Sequence, residues 1–107
     1  MRIEHGKLTG DQNITEDLDL QGIIYGSAEV QPGIALHMGG TITENLLILP
    51  GGICKLDGMV FGNVHNRGGI LRILGTIKGE LTGEGGSTEI DPQAVIGGKR
   101  GPAGSGD

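Results

Sequence analysis

Aromatic residues are almost missing from this chain, which has one Phe, one Tyr and no Trp. A core built round aromatic rings is therefore excluded. Cations are scarce as well: Lys and Arg total 8 against 13 Asp and Glu, for a formal charge of −5 at pH 7. That balance excludes a module that grips nucleic-acid backbone, which needs a basic stripe, and adhesion to anionic lipid by charge. Cysteine occurs once, at Cys54, so no internal disulfide is available, and this usage suits a reducing cytoplasm. No apolar run approaches the length of a membrane-spanning helix, and Met1–Gly6 shows no apolar export core. A cytoplasmic chain without direct membrane insertion is expected.

Glycine, by contrast, fills 23 of 107 positions, roughly three times its average share. Long amphipathic helices are excluded, since Gly costs about 1 kcal/mol per interior helix site relative to Ala. Gly does not recur at every third position, so collagen is excluded too. An apolar fraction of 36%, rich in Ile, Leu and Val, is too high for a disordered chain. What is left is an all-β, repetitive fold.

The repeat is visible as Gly-x-aliphatic motifs starting at Gly6, Gly22, Gly40, Gly58 and Gly75, separated by 16, 18, 18 and 17 residues. Other columns keep the same step. Leu20, Met38, Leu56, Ile73 and Ile90 form one, and Leu18, Leu36, Cys54, Leu71 and Thr88 another. Gly33, Gly51, Gly68 and Gly85 form a turn column, where glycine supplies positive φ or tight corners. Within a repeat, Leu18, Leu20, Ile24, Ala28 and Val30 share one parity, the mark of short strands with one buried face. From Leu18 to Val60 an aliphatic residue or Cys54 falls every six positions, three per coil, which predicts a triangular cross-section.

These patterns predict a single triangular β-solenoid of about five to six coils, with 17–18 residues per coil. Coils are expected at 15–32, 33–50, 51–67, 68–84 and 85–98 after a partial first coil at 2–14. The solenoid domain spans 1–98, and 99–107 reads as a flexible Gly-rich tail. The shift to 17-residue coils after Val60 breaks strict hexads and favours a right-handed over a left-handed form.

The Gly-x-Ile-x-Gly-x-Val type motif, the 17- to 18-residue coils and the near absence of aromatics make residues 6–98 resemble the bactofilins. The resemblance implies a compact triangular β-helix that polymerises end to end as a cytoskeletal element. Bactofilins often carry an N-terminal membrane-binding segment, and Met1–Gly10 shows nothing like it.

Sites for chemistry are few. His5, His37 and His65 raise the question of a metal, because γ-class carbonic anhydrases hold zinc on a triangular β-helix through histidines. Here His37 falls in the outward column Asp19, His37, Lys55, Arg72, Glu89, and His65 in the column Glu29, Leu47, His65, Thr82. They do not converge, so solvated histidines are expected and no metal or other cofactor. Cys54 occupies an inward column, where a thiol behaves as a small apolar residue rather than a nucleophile. No catalytic residue emerges.

Outward apolar residues are more informative. Ile23, Tyr25, Met59 and Phe61 share two adjacent outward columns and include the only Tyr and Phe, which predicts an interaction surface. Ile90 and Ile96 point inward in the last coil and are candidates for assembly at an open end, where unpaired backbone groups template another chain.

The expected function is non-enzymatic: a self-assembling scaffold, forming a homo-oligomer or polymer through open ends or the apolar face. The alternative from another class is a small protein-binding or inhibitory module, such as a toxin-neutralising partner. Third comes a left-handed β-helix enzyme of the acyltransferase or γ-class carbonic anhydrase type.

Overall fold

In-register stacking of short strands builds the whole molecule. The computed structural model describes residues 2–97, and the tail expected over 99–107 lies outside them. The described residues contain fifteen strands and no helix. Every strand pairing is parallel, which places the chain in a β-solenoid whose three faces are each visited once per coil.

Face one holds β1 (Arg2–Glu4), β4 (Leu18–Leu20), β7 (Ala35–Met38), β10 (Ile53–Leu56) and the later parts of β12 (Val64–Ile73) and β14 (Leu81–Ile90). Face two is a six-stranded sheet of β2 (Lys7–Thr9), β5 (Ile23–Tyr25), β8 (Thr41–Ile42), β11 (Met59–Val60), β13 (Thr76–Ile77) and β15 (Val95–Ile96), one strand per coil. Face three holds β3 (Gln12–Ile14), β6 (Ala28–Val30), β9 (Leu46–Ile48) and the early parts of β12 and β14. Because β12 and β14 run round a corner, faces one and three join into one nine-stranded sheet.

The aliphatic columns read from the sequence are true ladders. Leu20, Met38, Leu56, Ile73 and Ile90 stand in direct register, as do Leu18, Leu36, Cys54, Leu71 and Thr88. Ile24, Ile42, Val60 and Ile77 form the ladder of face two. All of these are buried except Thr88 and Ile90, which are half-buried in the last coil. Each fully buried aliphatic side chain contributes about 1.5–3 kcal/mol of transfer free energy.

Two devices let the coils close. The motif glycines are there for close approach: a Cβ on Gly22, Gly40, Gly58 or Gly75 would run into the carbonyl oxygen of the motif Gly one coil earlier. Positive φ occurs in the turn column at Gly33 (79°), Gly51 (86°) and Gly68 (144°). In the last turn it falls on Gly86 (67°) and not on Gly85, and it also occurs at Gly10 (90°) and Gly26 (152°), the second glycines of their motifs. At the corner between faces two and three, side chains extend the backbone ladder. Asp11 Oδ1 accepts the Ser27 N–H, Ser27 Oγ the Asn45 N–H, Asn45 Oδ1 the Asn63 N–H, and Asn63 Oδ1 the Glu80 N–H, at 2.8–3.1 Å.

The change from 18- to 17-residue coils has its own cause. The inward column Ile14, Val30, Ile48 continues as Asn66 and Gly83. Four residues join Ile48 to Ile53, but three join Asn66 to Ile70. Fully buried Asn66 supplies what the shorter corner lacks. Its Oδ1 accepts the Gly68 and Gly69 N–H groups, and its Nδ2 lies within hydrogen-bonding reach of Gly69 O, Ser87 O and Thr88 Oγ1.

Replacing Asn66 by Leu, which keeps the branched shape but puts methyls where the amide stands, should leave those backbone groups unsatisfied and lower stability by about 2–4 kcal/mol. Ile48→Val, one coil earlier in the same column, should cost about 1 kcal/mol. Urea unfolding of both variants checks this, and equal losses would contradict the role given to Asn66.

Candidate functional site

Each coil covers its neighbour, so only the two ends and the outward faces meet other molecules. The ends differ sharply. In the first coil the inward columns are occupied by Arg2, Glu4, Leu8, Gln12 and Ile14, with Arg2 and Glu4 in register with Leu18 and Leu20. Arg2 lies 2.8 Å from a Glu4 carboxylate oxygen and 3.0 Å from one of Glu16. The Gly6 N–H donates to the other Glu4 oxygen at 3.2 Å. The Arg2 guanidinium, and then the Gly6 N–H, hold the Glu4 carboxyl below the usual Glu range. Arg2 and Glu16 are exposed and Glu4 is half-buried, so solvent screens the pairs and they add little stability. Their effect is to finish this end with charged groups already partnered.

The last coil finishes differently. Its inward columns carry Thr88, Ile90 and Ile96, with Ala94 beside them, and Ile90, Ala94 and Ile96 pack only partly against the core. Among the described residues no further strand pairs with β15 or with the later part of β14. Both candidate end residues, Ile90 and Ile96, therefore lie at the same apolar end.

Face two carries the predicted outward surface. Tyr25 and Phe61 are 44% and 48% exposed, Ile23 and Met59 are half-buried, and Val95 joins them at 57% exposure. Ile23 and Met59 flank Thr41 in one column, so the four residues share one face, with a threonine coil between. Sequence reading missed a smaller pair on face one. Ile53 and Ile70, 44% and 54% exposed, stand in register between Ala35 and Ser87. Their outward parity was the available signal.

The charged column of face one adopts the expected register, with Ile3 continuing it at the first coil. Arg72 Nε lies 3.7 Å from Glu89, and His37 Nδ1 3.5 Å from Asp19. His37 also reaches Asp57 through Nε2 at 2.6 Å, a contact across one coil that column reading does not reveal. His65 lies 3.1 Å from Glu84 on face three, and His5 is exposed near the first coil. The histidines are not brought together. Among the described residues, no group of three or more His, Cys, Asp and Glu side chains is placed to hold a metal ion.

Cys54 is fully buried, and burial pushes its thiol up to about 12, so it stays protonated. A shallow groove of about 330 Å³ lies along Asp11, Asn13, Ser27, Glu29, Asn45 and Leu47. The corner oxygens of Asp11, Ser27 and Asn45 are already engaged by backbone N–H groups there. No described helix is long and apolar enough to cross a membrane.

Comparison with family models, curated proteins and solved structures returns no match to this chain. What it does must be read from its own ends and faces.

The charged end makes a pH-dependent prediction. The Glu4 pKa is lowered on folding, so its contribution is present above the ordinary Glu range and is lost as pH falls through the lowered value. Arg2→Ala should raise the Glu4 midpoint toward an ordinary Glu. Carboxyl NMR titration measures both, and an unchanged midpoint would remove Arg2 from the end cap.

Proposed function

We propose that the chain is a non-enzymatic structural module that self-associates through its C-terminal coil. The carrying observation is the contrast between the ends: paired charges over the first coil, and Ile90, Ala94 and Ile96 left half-buried at the last. A parallel coil presents a row of backbone groups to whatever stacks next, and such edges template pairing with another chain. At the last coil a second copy extends the hydrogen-bonded ladder and the aliphatic columns together. Docking at the first coil instead sets apolar side chains on Arg2, Glu4 and Glu16, which costs desolvation of charge.

The contact is therefore end to end between two C-terminal coils, a self-complementary pairing that closes at two copies unless a second surface takes part. A scaffold of stacked β-helices of the bactofilin kind follows where such a second surface joins the end-paired dimers. The buried, unpaired Cys54 suits a reducing cytoplasm, where we place the chain.

The decisive comparison is mass by light scattering over a concentration series up to millimolar. Wild type should grow in mass with concentration, while Ile90→Lys with Ile96→Lys should lose the end contact and not exceed two copies. A circular-dichroism melt confirms that the first five coils of the variant remain folded. Wild type that stays a single chain throughout would overturn the proposal.

A further inference from the structure

Face two differs from the other faces in what it leaves out. Its outward positions run Lys7 and Thr9, Ile23 and Tyr25, Thr41 and Thr43, Met59 and Phe61, Thr76 and Lys78, then Val95 and Gly97. No carboxylate stands among them, although the chain has 13 Asp and Glu. Bulk alternates along the solenoid axis. The second and fourth coils raise ridges of Ile23 with Tyr25 and of Met59 with Phe61. The third coil, Thr41 and Thr43, is a trough between them, and Thr43 is pinned there by accepting the Gly26 N–H at 3.0 Å.

Ridges two coils apart, about 10 Å at the spacing of paired strands, restrict what fits this face. A second copy turned about an axis along the strands, so that the two solenoids run in opposite directions, sets the first coil against the sixth. The second coil then meets the fifth and the third meets the fourth. Every ridge falls on a coil bearing Thr. Met59 and Phe61 enter the Thr41 and Thr43 trough, and Ile23 meets Thr76. Tyr25 lies over Lys78 of the second copy, a cation over an aromatic ring. Solenoids running in the same direction put ridge on ridge and leave the trough empty.

We propose that face two is a lateral self-contact, formed by two antiparallel copies of this chain with Tyr25 of each against Lys78 of the other. The inference rests on the reading of the chain as a self-associating module and supplies the contact that end pairing lacks. Two different self-complementary contacts on one protomer, end and side, propagate where either alone stops at two copies. The face is small: six strands of about three residues give a few hundred Å², against about 800 Å² per partner in a standard interface. The contact is therefore weak alone and gains from the local concentration that end pairing provides.

Sedimentation of the full chain at millimolar concentration tests this with four proteins: wild type, Tyr25→Lys, Tyr25→Lys with Lys78→Glu, and Ile90→Lys with Ile96→Lys. Tyr25→Lys should set like charges together across the face and weaken lateral association at least about tenfold. Adding Lys78→Glu should restore it. These positions are three coils apart within one chain, so rescue reports the contact between copies. The end variant should retain a lateral dimer. If Tyr25→Lys leaves assembly unchanged while the end variant abolishes it, the face proposal fails and the end reading stands. If only the Tyr25→Lys variant alters assembly, the end reading fails and the face stands. Loss without rescue by Lys78→Glu would overturn the antiparallel pairing.

Discussion

Equivalent residue stacks on equivalent residue, coil after coil, at the spacing of paired parallel strands. Nearly everything else in this protein is a consequence of that constraint. Side chains become ladders, so one aliphatic choice repeated at a fixed step fills a core without any aromatic ring. Backbones approach until a Cβ on a motif glycine has no room, because the carbonyl of the preceding coil occupies its place. The same constraint makes the ends special, since among the described residues each outermost coil has a neighbouring coil on one side only.

Much of this was legible in the amino-acid order. Leu20, Met38, Leu56, Ile73 and Ile90 reveal a ladder because period-2 parity and a coil-length step agree on the same residues. The pairing Asp19 with His37 follows from the same columns. Three features were not legible for identifiable reasons. Asn66 is a polar residue in an aliphatic column, and its value appears only once the shortened corner brings Gly68, Gly69 and Ser87 around its amide. The corner ladder from Asp11 to Glu80 uses mixed residue types whose shared property is a side-chain oxygen at one corner. The first coil, expected to be partial, has a strand on each face, β1, β2 and β3; the charged Arg2 and Glu4 carry no aliphatic signal that would mark them as members of the Leu18 and Leu20 columns. That placement separates a charged end from an apolar one.

Surface charge adds selectivity more than stability. The ion pairs along face one and around Arg2 involve groups in contact with solvent, where each is worth about 0–1 kcal/mol. Their distribution carries more information than their energies. Paired charges finish the first coil, carboxylates leave the outward positions of face two, and the last coil leaves Ile90, Ala94 and Ile96 half-buried.

The central claim is that the two ends of the solenoid are unequal and that association uses the C-terminal one. Amide hydrogen exchange, followed from dilute to millimolar protein, reads both ends in one experiment. Amides around Ser87–Ile90 and Val95–Ile96 should gain protection as concentration rises, while those of Arg2–Glu4 and Gln12–Ile14, which lie off face two, should not change. Protection rising equally at both ends, or only over Arg2–Glu4 and Gln12–Ile14, would contradict that claim.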